Sequence, residues 1–314
     1  MFRLANILTV LGLSLTGLSL AQAAPLNAVA TVGMVGELGG DCVTLTTLMG
    51  PGVDPHLYRA SAGDVRTLSE ADIIFYGGLL LEGRMSDVLS RLQSRVATHA
   101  VMETVDPGLL LASEAYTGQP DPHLWMYVGL WAQTLAGVTA RLAEARPECR
   151  ESFEANRARY QGELLALHGW VKASLASVPA GRRVLVTAHD AFSYFGRAYE
   201  VEVYGIQGIS TEAEASLADI QGTVDVIVAR QIPAIFVESS VNPRAVLAAV
   251  RDRGWELSIG GELYSDAMGA RGTWQGSYIG MIRSNVLTLI EALGGQAAPW
   301  PDELGAWAER WELN

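Results

Sequence analysis

Two α/β lobes, each built on a mainly parallel four-stranded sheet and joined by one long backbone helix, are what three features of the chain predict. Short β-rich runs alternate with helix-period segments in both halves. Two of those runs, Ile73-Ile74-Phe75 and Ala234-Ile235-Phe236-Val237, are continuously apolar, as strands covered by helices on both faces should be. Between the halves, a stretch with no internal breaker carries apolar residues at helical spacing.

In the first half the expected strands are Ala28–Met34, Val43–Met49, Asp72–Tyr76 and Thr98–Met102. In the second half they are Arg183–Ala188, Glu200–Ile206, Ala234–Glu238 and Trp255–Ile259. The connecting helix is expected over Pro147–Val178. Pro147 suits a first helical position, Phe153, Tyr160, Leu164, Leu167, Trp170 and Val171 recur every three to four residues, and Pro179 and Gly181 stop it. These signals divide the chain into a leader at 1–23, an N-terminal lobe at 24–146, the linking helix at 147–178 and a C-terminal lobe at 179–314.

The leader reads as an export signal. Met1-Phe2-Arg3 precedes an uncharged run from Leu4 to Leu20 and a small-x-small site at Ala21-Gln22-Ala23, with cleavage expected before about Ala24. A periplasmic protein without a lipid anchor follows, since no cysteine stands at that site. The two cysteines, Cys42 and Cys149, have no paired spacing and are expected as buried free thiols rather than a bridge.

Composition excludes one class of partner. The 314 residues carry 22 basic and 34 acidic side chains, a net charge of −12, with Lys172 as the single lysine. No basic stripe is present to follow a phosphate backbone, so nucleic-acid binding is not expected. A negative field draws cations toward a cleft.

The chemistry-bearing residues are few. Of five histidines, His56 and His123 each end an Asp-Pro-His triplet, His56 after the turn-rich Met49-Gly50-Pro51-Gly52-Val53 and His123 ahead of Leu124-Trp125. His189 closes the strand Val184–Ala188, and Asp266 lies in Gly260–Met268, just after the last expected strand. Loops at the carboxyl ends of parallel strands are where open α/β sheets gather ligands. Neutral imidazoles with a carboxylate suit a borderline divalent transition ion, whereas calcium asks for an all-oxygen cage. Spacing alone favours solvated or capping histidines over a metal site.

Met49 through His56, Val184 through Phe192, and Gly260 through Met268 resemble, in order, motifs of the solute-binding proteins of bacterial zinc, manganese and iron ABC importers, the TroA-like group. The resemblance spans about Val29 to Leu293 and implies two lobes on one backbone helix. It also implies metal ligands at His56, His123, His189 and Asp266, a membrane permease with a cytoplasmic ATPase as partners, and a monomeric, non-enzymatic carrier. Manganese-selective relatives tend to carry Glu where His189 stands, and ZnuA-type relatives a long His-rich acidic loop, whereas Ser113–Gln119 is short and lacks histidine. The nitrogen-rich donor set favours zinc, then manganese, with ferrous iron a further candidate.

Glu238 and Glu262 are candidates for orienting the ligand imidazoles, with solvated strand ends as the alternative. Asp190 is read as structural or supporting. His168 is expected on a solvated helix face, and His99 has no partnering motif. Trp307 and Trp311 share a helical face and, with Trp300, are expected to pack on the second lobe. The rival function is a secreted zinc-dependent hydrolase. No H-E-x-x-H or G-x-S-x-G supports it, and Gly33, Gly36 and Gly39 miss the dinucleotide spacing.

Overall fold

A computed structural model describes residues 24–112, 118–242, 244, 249, 251 and 258–313. The first lobe holds β1 (Leu26–Ala30), β2 (Val43–Thr47), β3 (Ile73–Tyr76) and β4 (Ala97–Ala100) in one parallel sheet of order β2-β1-β3-β4. Ala28 of the central strand pairs with Leu45 on one side and Ile73 on the other, and Ala28, Val29 and Ala30 are fully buried. β1 ends sooner than expected because Gly33 opens α1 (Met34–Gly39), whose Met34, Val35 and Leu38 turn into the core.

In the second lobe β5 (Val184–His189) pairs in parallel with β6 (Glu202–Gln207), and β7 (Ala234–Glu238) with β8 (Ser258–Leu263). β5 lies beside β7, but no ladder among the described residues joins them, so this lobe carries two two-stranded sheets where the sequence predicts a single four-stranded sheet. All six residues of β5 are buried, which explains a continuous apolar run closed by Thr187 and His189. β8 includes Gly260 and Gly261, where the sequence reading had the strand already over. A Cβ at Gly260 would sit 2.6 Å from the Phe236 ring, so glycine lets β8 close on β7. Trp255 lies outside the described residues.

The lobes are joined by a 3-10 turn at Pro147–Cys149 and then α5 (Arg150–Ala176), 27 residues or about 40 Å long. Phe153, Tyr160, Leu164, Leu167, Trp170, Val171 and Leu175 are buried along one stripe. That stripe meets α1 and α4 (Val128–Ala145) of the first lobe and α8 (Tyr278–Leu293) of the second, the intervening helices being α2 (Ala62–Ser69), α3 (Ser86–Leu92), α6 (Ser193–Tyr199) and α7 (Leu217–Ala229). One helix thus contributes to both cores.

The expectation of free thiols is corrected: Cys42 and Cys149 form a disulfide, with Cα atoms 6.4 Å apart. Sequence spacing concealed the reason, which is tertiary. α1 docks on the start of α5, where Asn156 Nδ2 donates to the Leu38 carbonyl at 3.1 Å and Arg159 meets Glu37 at 3.2 Å. The cysteine that ends α1's following turn is thereby set against the one that opens the helix.

The tryptophan segment packs on more than the second lobe. Trp300 stacks against Trp170 of α5 at 4.9 Å and Trp307 at 5.6 Å, and Arg283 lies 5.2 Å from both the Trp274 and Trp300 rings. Arg310, at the end of α9 (Gly305–Arg310), reaches to 3.9 Å from Glu37 of the first lobe. No helix among the described residues is long and apolar enough to cross a membrane; the leader at 1–23 and most of Ser113–Gln119 lie outside them.

Candidate metal centre

Each of the four residues is set by local chemistry. His56 follows the turn after β2, in which Gly52 adopts φ +70°, and its backbone N–H donates to Asp54 Oδ1 at 2.9 Å. His123 repeats that turn, donating its N–H to Asp121 Oδ1 at 2.9 Å. An aspartate that accepts the amide two residues on is the ordinary way an Asx turn is closed, and the intervening proline stiffens it. His189 is the last residue of β5, and its N–H donates to Glu238 Oε1, at the end of β7, at 2.8 Å. Asp266 follows β8 in a segment pinned by Asn285, whose side chain accepts from Tyr264 N at 2.8 Å and donates to Tyr264 O at 2.7 Å.

Both lobes meet here. Asp266 Oδ2 lies 3.3 Å from His189 Nε2 and 3.7 Å from His56 Nε2, Asp266 Oδ1 lies 3.4 Å from His123 Nε2, and the Nε2 atoms of His56 and His123 are 3.4 Å apart. The four donor atoms all fall within 4.8 Å of one another. The side chains are 4% exposed for His56 and 0% for the other three. Trp125 closes the junction, meeting the His123 ring edge to face at 5.2 Å while its Nε1 donates to Ser265 O at 3.0 Å. Asp266 also lines a cavity of about 290 Å³ walled by Met34, Trp131, Met268 and Tyr278 from the two lobes.

The protonation pattern follows from the neighbours. Burial pushes His56 down to about 4. Burial also opposes charge on His123, but the Asp121 carboxylate and the bond to Asp266 outweigh it and raise that ring to about 9. In the same way Glu238 and Asp266 overcome burial and raise His189 well above its ordinary value. Burial would raise Asp266, but the His189 and His123 rings hold its carboxyl well below the usual carboxylate range. His123 and His189 thus favour protons at the positions a cation would take.

Two carboxylates address the far side of the rings. Asp121 Oδ1 is 2.7 Å from His123 Nδ1, and Glu238 Oε2 is 2.5 Å from His189 Nδ1. A carboxylate at Nδ1 keeps the proton there and leaves the Nε2 lone pair for a metal. Asp121 was missed in the sequence reading, although it stands in the same triplet as His123. Glu262 does not share this role: it is exposed on β8, because alternation along the strand turns it away while Leu263 is buried. Asp190 accepts from Ser193 Oγ at 2.7 Å, opening α6. His168 is half-buried, not solvated, with Nδ1 3.0 Å from Tyr199 Oη and its ring against Tyr127. His99 packs on Phe75 in the first lobe.

Comparison with known proteins accords with this geometry. The family profile described as ZnuA, zinc-uptake complex component A, periplasmic, matches residues 30–292. The manganese-binding lipoprotein MntA of Bacillus subtilis strain 168 is 44% identical over 261 residues, covering 82% of this chain and 85% of that protein. The zinc-binding protein TroA of Treponema pallidum strain Nichols is 46% identical over 273 residues, covering 84% and 88%. The solved structure of periplasmic zinc-binding TroA from Treponema pallidum superimposes with a TM-score of 0.82 at 45% identity, over 86% of this chain and 99% of that one. Fe(III)-bound YtgA from Chlamydia trachomatis matches with a TM-score of 0.78 at 27% identity, over 87% and 99%.

These names also correct one expectation. MntA and the substrate-binding protein ScbA of Streptococcus cristatus are both named lipoproteins, which overturns the reading of a protein without a lipid anchor. That reading rested only on the missing cysteine beside Ala23. The same relatives are binding components of metal transporters rather than enzymes, so the hydrolase reading is set aside. With a matched profile across most of its length and relatives above 40% identity, the chain belongs to the ZnuA family of metal-binding proteins of ABC importers.

Proposed function

We propose that this chain captures one divalent transition-metal ion between its lobes with His56, His123, His189 and Asp266, and delivers it to a membrane permease driven by a cytoplasmic ATPase. The observation that carries this is the convergence of three Nε2 atoms and one carboxylate, donated by both lobes, in a site shut from solvent. Four protein donors leave no position for the exchangeable water that a catalytic zinc site keeps. On this reading the lobes are 24–146 and 179–314, the helix 147–178 is their fixed spine, and the carrier works as a monomer.

Zinc is the favoured cargo, with manganese next and iron third. Three nitrogens and one oxygen suit a borderline ion, and the Irving–Williams order places zinc well above manganese on such a set. The similar proteins divide on this point, since one is named for manganese, one for zinc and one carries Fe(III). Metal content by mass spectrometry of the purified chain, beside an Asp266→Ala variant, tests both levels. About one zinc per chain, lost in the variant, supports the assignment. One manganese per chain keeps the carrier and removes the zinc preference, and no metal with an unchanged melting temperature under chelator removes the carrier.

A further inference from the structure

The two Asp-Pro-His triplets fold into the same turn, but their aspartates face different neighbours. Asp121 turns its carboxylate onto the ring of its own histidine. Asp54 turns the other way: Oδ1 accepts the His56 backbone N–H at 2.9 Å, and Oδ2 accepts the hydroxyl of Thr211 at 2.6 Å. Thr211 lies in the segment between β6 and α7, in the second lobe, and is only 9% exposed. One carboxylate therefore grips a first-lobe candidate ligand and a second-lobe hydroxyl at once. Beside it, Gly52 comes close to the Ser239 carbonyl, and Arg84 Nε meets Glu212 Oε1 at 3.0 Å across the same junction.

We propose that Asp54 is a positioning residue which, with Thr211, latches the two lobes over the captured ion and sets how slowly that ion leaves. The inference rests on His56 being a ligand. Separating the lobes must break the Thr211 bond and leave a partly buried carboxylate with an unfilled lone pair, which is the costly direction for a charged acceptor. Asp54 holds the backbone of His56 rather than its ring, so the turn that aims the imidazole is also the turn that is tied to the opposite lobe. Arg84–Glu212 is half exposed on both sides and adds little by comparison. The bond must break before the lobes part, so its loss is expected to show in release rather than in capture.

The test is stopped-flow transfer of zinc from the full chain to an excess of a colorimetric chelator, with Thr211→Val, Thr211→Ser and His56→Ala compared with the parent chain. Thr211→Val keeps the volume and removes the donor. It is expected to release zinc about tenfold faster, the loss expected for one hydrogen bond to a charged group, with the capture rate unchanged. Thr211→Ser is expected to restore slow release. Parental release from Thr211→Val, or no rescue by Thr211→Ser, overturns the latch. Parental zinc affinity in His56→Ala overturns the ligand assignment itself, and with it the premise of the latch.

Discussion

Nδ1 of His123 lies 2.7 Å from Oδ1 of Asp121, and the same oxygen accepts the His123 backbone N–H, so one carboxylate fixes both the position and the tautomer of this ring. A neutral imidazole tethered at Nδ1 has its lone pair at Nε2 and its ring plane set. Asp121→Ala should weaken zinc binding by about 10- to 100-fold, the range seen when such orienting partners are removed. Competition with a fluorescent chelator reads this directly. Unchanged affinity would assign the aspartate to the turn alone.

Glu262 makes the opposite case. It is exposed in β8. Glu262→Gln should therefore leave zinc affinity where it was. A loss comparable to that of Asp121→Ala would mean that this strand reorganises on loading.

Proton release should accompany capture. His123 is raised to about 9 and His189 well above its ordinary value, while His56, held down at about 4, is already neutral at pH 7. A raised folded-state value stabilises the metal-free protein fully below the unfolded histidine value of about 6.5, and that contribution is lost as pH rises through the folded value. A cation that replaces those protons gains affinity in the same direction. The rise in melting temperature on adding zinc should thus be larger near pH 8 than near pH 6. Calorimetry in two buffers of different ionisation enthalpy should show protons leaving; equal heats in both would contradict the protonation pattern.

The Cys42–Cys149 bridge closes a loop with a sequence separation of 107. On the chain-entropy argument a loop of that size contributes about 4 to 5 kcal/mol by constraining the unfolded chain. Cys42→Ser with Cys149→Ser, or reduction, should lower the midpoint of urea unfolding accordingly, with zinc stoichiometry unaffected because neither cysteine belongs to the donor cluster. An unmoved midpoint would show that docking of α1 on α5 holds without the bond.

Asn285 is buried on α8 and holds both backbone groups of Tyr264, two residues before Asp266. Asn285→Ala strands a buried N–H and C=O, so stability should fall by roughly 2 kcal/mol, within the usual range for unpaired groups. Zinc affinity should fall with it, since the segment carrying the carboxylate is no longer pinned. Denaturant titration and chelator competition separate the two effects.

Much of this architecture was legible from periodicity. The run Ile73-Ile74-Phe75 and the stripe from Phe153 to Val171 have one physical cause each, burial on both faces and burial on one, and both leave a pattern in the chain. The donor residues were legible only through longer motifs, because a lone histidine at a strand end reads the same whether it meets water or a metal. The rest depended on contacts between distant segments. Nothing near Cys42 announces that α1 will dock against the first turn of α5. Asp121 carried a signal in the repeated Asp-Pro-His, but the different partners of Asp54 and Asp121 are decided by which lobe each faces. The strand through Gly260 was hidden because two glycines suggest a turn until the Phe236 ring and the Thr288 side chain that need their space are in view.

Trp125 gives the molecule an optical consequence. Its indole meets the His123 ring edge to face and is hydrogen-bonded across to Ser265, beside the carboxylate of Asp266. A protonated imidazole quenches a neighbouring indole, and the His123 ring must give up that proton for a cation. Emission from this one side chain should therefore brighten with cargo, and Trp125→Phe should abolish the change while the other seven tryptophans still shine. The protein carries its own occupancy lamp, readable in dilute solution without any attached dye.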